Sequence, residues 1–379
     1  MKLRYKILTG TVAVLVVAVA AIAFVLSHEA PCPETPPGAE SGDAMRAWVY
    51  RCYGTTEVLS LERRDRPVPA DDELLVRVAA AAINPYDWHF MTGSPYFMRL
   101  MTGLGRPNEI RLGADFSGTV VAVGADVTRF SPGDEVFGGA TGSFAEYLTV
   151  AEGGPVAAKP ANVSFEQAAA VGIAGFTAIQ ALRDHGALEA GETVLINGAS
   201  GGVGTFAVQI AHAMGAEVTG VCSAAKMDLV RSIGADQVID YRQQDYTDSE
   251  RRYDVIIDLV GNRSVRENTR VLEPDGRLVI VGGPKGDWLA PLKPMIDSAL
   301  MSPFVDQQVG TMLAYMTRDD AIRLGQLMRD GALAPVVDRT FTLDELPAAI
   351  EYWKSGKATG KVAVTMRSRG RLAPQTPSS

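Results

Sequence analysis

Apolar and polar positions alternate in three different rhythms along the chain. From Leu8 through Leu26 the run is apolar and uncharged, and Lys2, Arg4 and Lys6 precede it. At 1.5 Å per residue a helix over that run spans roughly 30 Å, the thickness of a bilayer core. The pattern predicts a membrane anchor over residues 1–28. A cleaved signal peptide is the rival reading. It wants small residues one and three positions before the cut, and "SHEAPC" offers His28, with a proline directly after Ala30. Behind the run come Glu29, Glu34, Glu40 and Asp43, with no cation until Arg46. The positive-inside rule therefore turns the body away from the cytoplasm.

Residues 29–44, rich in Pro, Gly and acid, read as an extended linker. "MRAWVYRCYG" begins the folded part at Met45, and to about 165 short alternating runs predict strands: "ELLVRVAAAAI", "GTVVAVGADV", "GDEVFGG" and "FAEYLTV". This span is expected to form a mainly β domain. Over 166–334 the rhythm becomes buried strand, then helix. "ETVLINGA", "AEVTGVC", "DQVIDY", "YDVIIDLVG" and "GRLVIVGG" are continuous apolar runs, the mark of a parallel sheet covered on both faces. Short strands return over 335–367, in "PVVDRTFTL" and "GKVAVTM", and 368–379 reads as a disordered tail.

Composition narrows the function. The chain has 379 residues, 47% hydrophobic and 21% charged, enough for two domains with substantial cores. Net charge is −8 without a concentrated basic patch, which argues against a nucleic-acid partner. Cysteine stands only at 32, 52 and 222, so neither a disulfide framework nor a cysteine-based zinc site is expected.

The turn Ala199-Ser200-Gly201-Gly202-Val203-Gly204 lies between a predicted strand and a predicted helix. A dinucleotide fingerprint wants small residues at three places, here Ala199, Gly201 and Gly204, and two of them are glycine. The helix beyond Gly201 would offer unpaired N–H groups and partial positive charge to a phosphate. An NAD site places an acid about 20 residues on. Ser223 and Lys226 stand there instead, with Tyr241 ending the next strand, which favours the 2′-phosphate of NADP(H). A plain strand–helix turn and a solvated Lys226 are the blander alternatives.

With "GASGGVGTFAVQIA", "GVCSAAKMDLVRSIGADQVIDY", "LGADFSGTVVAVGADVTRFSPGDEVFG" and "INPYDWHFMTG" in this order, the chain over 45–367 resembles the medium-chain dehydrogenase/reductase superfamily. It is most similar to the zinc-free quinone oxidoreductases, of the zeta-crystallin and reticulon-4-interacting-protein-like kind. The resemblance implies an α/β architecture: a GroES-like β domain completed by the C-terminal segment, and a Rossmann domain inserted between. It implies cofactor contacts at Gly261, Gly282, Gly283, Gly360 and Lys361. It places Asn84 near the nicotinamide and substrate, with Asp87 as its orienting neighbour. Tyr96 falls within about one residue of a proton-donating tyrosine in related enoyl reductases. Zinc-dependent relatives carry Cys where this chain has Asn84, and His-Glu where it has Ala114 and Asp115, so no metal is expected.

Without a metal the acceptor must itself take hydride readily. A quinone or an α,β-unsaturated carbonyl does so, because conjugation spreads the developing charge. The alternatives are a carbonyl reductase or alcohol dehydrogenase of the same fold, and a non-catalytic NADPH-binding protein. "NPYD" can equally be a helix start, with Asn84 as N-cap and Pro85 at N1. The Met-rich stretch 298–316 is expected to line the cleft for a hydrophobic substrate, to form an edge-strand homodimer contact, or to be core. A membrane location and a cytoplasmic cofactor conflict, so the side occupied by the body stays open.

Overall fold

The computed structural model describes residues 2–34 and 42–366. The expected tail at 368–379 and the middle of the expected linker lie outside the described residues. In the first half β1 (Ala44–Tyr50), β2 (Leu59–Asp65), β3 (Glu73–Ala82), β4 (Asp115–Val123), β5 (Glu135–Gly139), β6 (Tyr147–Ala151) and β7 (Val156–Ala158) follow in short order. After the helix Phe165–Gln180 come β8 (Thr193–Asn197), β9 (Glu217–Cys222), β10 (Gln237–Asp240), β11 (Tyr253–Asp258), β12 (Leu272–Ile280) and β13 (Gln308–Thr311). The chain closes with β14 (Val337–Thr342) and β15 (Lys361–Thr365).

These strands make two large sheets. The six-stranded sheet has the order β10-β9-β8-β11-β12-β13, and each neighbouring pair is parallel. Strand order reverses between β8 and β11, which opens a crevice at their C-terminal ends where ligands of such sheets sit. Its strands read as continuous apolar runs because both faces are buried: Val194, Leu195, Ile196, Val255, Ile256 and Ile257 have no exposure. The seven-stranded sheet has the order β14-β15-β3-β4-β5-β7, with β6 also on β3. The last two strands thus return to the sheet built from the first half. This is the Rossmann-plus-GroES-like α/β architecture that the sequence predicts.

The N-terminal segment departs from expectation. A helix spans Lys2–Ser27, yet among the described residues no helix is long and apolar enough to cross a membrane. The expected anchor and membrane localisation are corrected accordingly. The helix ends on the protein body rather than on a free tether. Arg99, fully buried, donates through Nη1 to the carbonyls of Leu26 (3.2 Å), Ser27 (3.2 Å) and His28 (3.3 Å). Its Nη2 meets Glu29 at 2.7 Å, and Nε donates to Gly93 O at 2.8 Å. One guanidinium therefore satisfies the terminal carbonyls of this helix and of the loop after Thr92. Cys32 and Cys52 are joined in a disulfide, Cα to Cα 5.0 Å. The expectation of no disulfide is corrected as well: two lone cysteines 20 residues apart carry no spacing signal, and only the docking of the segment brings them together.

Candidate functional site

Strand register decides which polar residues meet. β15 lies antiparallel to β3 with Ala363 opposite Ala82, and β3 lies antiparallel to β4 with Ala82 opposite Asp115. Ile83 N donates to Val362 O at 3.0 Å. Lys361, Asn84 and Asp115 consequently converge at one end of the sheet, and each is almost wholly buried. Lys361 Nζ donates to Asn84 Oδ1 and to Asp115 Oδ2, the latter at 3.2 Å. Asn84 Nδ2 donates to Asp115 Oδ2 at 2.8 Å and to Ala82 O at 3.2 Å. An ammonium needs an acceptor and a carboxylate a donor, so this pairing admits one orientation of the amide. Both amide protons of Asn84 are spent inside the protein. It holds other groups in place and has no N–H left for a ligand.

Asn84 also precedes the helix Pro85–Thr92, as "NPYD" suggests, but Asp87 does the capping: its Oδ2 accepts from Asn84 N at 2.8 Å. Asp87 Oδ1 is buried without a hydrogen-bond partner. On the other side, Asp115 Oδ1 accepts from Ile173 N at 2.8 Å. That amide is available because the helix Phe165–Gln180 breaks at Gly172, where φ is −21° and ψ −122°. A Cβ on Gly172 would collide with the Asp115 carboxylate.

One cation and two carboxyls thus share a dry space. Burial pushes both carboxyls up, and the Lys361 ammonium opposes the rise at each. Asp87 reaches about 8, with Asp115 adding to the shift by like-charge repulsion. Asp115 has three donors on its oxygens, whereas Asp87 has an unpartnered oxygen on which a proton can sit. The cluster thus pairs Lys361 with Asp115 at 3.2 Å, beside an Asp87 carboxyl that burial pushes far above the usual carboxylate range.

The glycine turn lies beside this cluster. β8 ends at Asn197, Gly198 carries the left-handed conformation (φ +91°), and the helix Gly202–Ala213 begins after Gly201. The tight turn therefore falls on Gly198, one residue before the fingerprint's first position. That frees Ala199 to point its methyl into the core, against Gly220 of β9. A Cβ on Gly204 would collide with the Gly198 carbonyl, whereas a Cβ on Gly201 would meet only that oxygen, at 3.4 Å. The first intrahelical bond runs from Thr205 N to Gly201 O, 3.0 Å. The N–H groups of Gly202, Val203 and Gly204 stand before it, free for an anion. Gly360 N donates to Ser200 O at 3.0 Å, and a Cβ on Gly202 would lie 3.2 Å from Lys361 Cδ. The returning strand thus touches turn and cluster together.

Other expected contacts gather along the same crevice. Gly261 (φ +68°) packs so closely that a Cβ would lie 2.7 Å from Gly282 O and 2.8 Å from Gly283 Cα. Ser223 and Lys226 follow β9, and Tyr241, half exposed, follows β10. Lys226 Nζ donates to Ala358 O at 2.7 Å, tying it to the returning segment. Tyr96 has partners of its own. No hydrogen bond among the described residues links it to Asn84 or Asp87. Its ring lies 4.6 Å from the Arg99 guanidinium and edge-on to Trp288 at 4.8 Å, and its N–H donates to Asp287 O at 2.7 Å. It bridges the loop after β3 to the loop after β12.

Sequence reasoning missed several of these residues. Asp240 is an acid at the end of β10, but its carboxylate is taken up by Arg242 N (3.1 Å) and Gln243 Nε2 (3.0 Å). Arg242, over the Tyr241 ring at 5.7 Å, adds a cation there. Asp258, fully buried at the end of β11, accepts from Asn197 Nδ2, Val260 N and Gly261 N through Oδ1. Gly172 left one signal, a glycine within an apolar helical run.

A parallel sheet with a glycine turn at its reversal point, joined to a β domain by a returning strand, defines a two-domain dinucleotide-binding oxidoreductase. Two family profiles match: the alcohol dehydrogenase GroES-like domain over residues 70–161, and zinc-binding dehydrogenase over residues 233–364. The chain is 31% identical to quinone oxidoreductase of Homo sapiens, over 85% of this chain and 98% of that one. It is 34% identical to the chloroplastic NADPH-dependent alkenal/one oxidoreductase of Arabidopsis thaliana, over 84% and 79%. Among solved structures it is similar to the quinone oxidoreductase from Coxiella burnetii, with a TM-score of 0.74 at 28% identity, covering 86% of this chain and all of that one. The chain belongs to the medium-chain dehydrogenase/reductase superfamily, in its quinone oxidoreductase branch. One profile's name refers to zinc, but this site does not suit it. Asn84 and Asp115 have the Lys361 ammonium between them, and Ala114 offers no ligand.

Proposed function

We propose that this protein reduces quinones or α,β-unsaturated carbonyls, with Asn84, Asp87 and Lys361 organising the acceptor side of an NADPH-binding crevice. The observation that carries the reading is the contact of β15 with both places: Gly360 on the glycine turn and Lys361 on Asn84 and Asp115. NADPH, when bound, supplies the hydride. The N–H groups of Gly202, Val203 and Gly204 bind the pyrophosphate, and Gly201 leaves room for it beside Ala199 and Ser200. Ser223 and Lys226 take the 2′-phosphate, and Tyr241 covers the adenine. Gly261, Gly282 and Gly283 let backbone approach the nicotinamide half, while Gly360 and Lys361 close the crevice from the other side. Tyr96, on the loop that meets the segment after Gly283, is the candidate proton donor at the mouth.

In this reading residues 45–165 and 335–367 form the catalytic domain, and 166–334 the cofactor domain. Conjugated acceptors are favoured because the buried Lys361 ammonium is already held by Asn84 and Asp115, while conjugation itself spreads the charge that hydride transfer develops. The chain's task is then mainly placement of the reacting atoms at about 3–3.5 Å. Consumption of NADPH across a panel of quinones, enals, ketones and alcohols tests it. Turnover of the first two classes is expected; turnover confined to ketones or alcohols would replace this reading with a carbonyl reductase. Binding without turnover of any acceptor would leave a non-catalytic protein.

A homodimer through β13 is part of the proposal. That strand is the open edge of the parallel sheet and largely exposed, with Leu300, Phe304, Leu313 and Tyr315 exposed nearby. Sedimentation should show a dimer, and Val309→Pro, which removes an edge donor, should shift it to monomer.

A further inference from the structure

We propose that Lys361 is a positioning residue, whose buried ammonium couples the cofactor turn to the Asn84–Asp87 helix start. The inference rests on the reductase reading and adds to it a residue acting through others. Three observations converge. The aliphatic stem of Lys361 lies against Gly202, at the mouth of the helix expected to hold the pyrophosphate. Its ammonium is clamped by Asn84 Oδ1 and Asp115 Oδ2. Asp115 in turn holds Ile173 N at the helix break. One side chain therefore touches three separate segments: the turn after β8, the helix start after β3, and β4 with its helical partner. The two ammonium contacts are buried, so water screens them little.

The amide of Asn84 shows why charge matters here as well as shape. Its two protons are committed to Ala82 O and Asp115, and its oxygen to Lys361. Remove the ammonium, and Asn84 Oδ1 loses its donor while Asp115 becomes a buried, uncompensated carboxylate. The amide can then rotate, and Asp87, which accepts from Asn84 N, moves with the helix start. Two of the three ammonium protons have these acceptors. A displacement of the turn by a bound nucleotide would thus be felt at Asn84 through a single buried side chain.

A structural role and a positioning role separate in one double variant. Lys361→Met alone should lower the melting temperature, because Asp115 is stranded. Adding Asp115→Asn removes the stranded charge and should return the melting temperature to near wild type. If Lys361 positions the site, kcat in the double variant stays on the order of 100-fold down, while the KM values for NADPH and acceptor change only a few-fold. Recovery of kcat together with stability would overturn the proposal, reducing Lys361 to charge balance.

A second readout does not depend on turnover. NADPH should slow amide exchange across residues 84–92 in the wild type but not in the double variant, although both bind the nucleotide. Equal protection in both would also overturn the proposal. A wild-type protein that turns over no acceptor, yet shows this difference, would instead sink the reductase reading and leave the coupling standing.

Discussion

Gly172 lies directly against the carboxylate of Asp115, so closely that the site has no room for a methyl group there. The break in the helix Phe165–Gln180 that this approach creates turns Ile173 N toward Asp115 Oδ1. Gly172→Ala should therefore push Asp115 off Lys361 and cost about 1–3 kcal/mol through overpacking. Thermal unfolding measures the loss. A stability equal to wild type would mean that the helix can straighten without disturbing the pair.

Asp87 gives the fold a pH dependence of definite sign. Its carboxyl rises from 3.8 to about 8 in the folded protein, with burial as the main cause. Between those values the folded chain keeps a proton that the unfolded chain has released, so stability falls as pH rises through that window. Denaturant titrations at pH 5 and pH 9 should show the wild type weaker at the higher pH. Asp87→Asn, which cannot titrate, should flatten this difference; an unchanged slope in that variant would assign it to other groups.

Lys226 and the preference for NADPH can be tested directly. Its ammonium now donates to Ala358 O, within reach of the crevice edge where Ser223 begins the turn. Lys226→Ala should weaken NADPH by roughly 10- to 100-fold, the worth of one or two charge-assisted hydrogen bonds. NADH should change little. Fluorescence titration with both nucleotides gives the ratio, and comparable losses would remove Lys226 from the 2′-phosphate site.

Arg99 joins the N-terminal helix to the loop that carries Tyr96. Arg99→Leu would strand the carbonyls of Leu26, Ser27, His28 and Gly93 and remove the ion pair to Glu29. A loss of about 2–4 kcal/mol is expected from those orphaned groups. Calorimetry on the full chain measures it, and a loss below about 1 kcal/mol would mean that water replaces the guanidinium.

Reducing Cys32–Cys52 should cost a comparable amount. The bridge closes a short loop of 20 residues, worth about 3 kcal/mol in the chain-entropy account. Cys32→Ser should lower the melting temperature and abolish its dependence on added reductant. A wild type whose melting temperature ignores reductant would show that the cysteines are not bridged in solution.

Much of this protein was legible in the order of its residues. Continuous apolar runs such as "TVLIN" and "YDVIID" mark strands buried on both faces, and Gly204 marks a helix packed onto its strand. These signals are local: a period, a turn residue or a steric demand within a few positions. The glycine turn was legible for the same reason, although its tight point proved to be Gly198 and not position 199. Lys361 and Asn84 were each singled out, but their bond was not, because 277 residues separate them and only the β15–β3 register sets them side by side. Nor could the sequence tell that Asn84 would spend both amide protons internally, or that burial would push the Asp87 carboxyl up. Those facts follow from how much water the fold excludes. The N-terminal helix makes the same point, since hydropathy reports what a segment would tolerate, while the cap from Arg99 and the bridge to Cys52 arise only when the body presents them. Local sequence determined the elements and the turn; long-range register and desolvation decided the site.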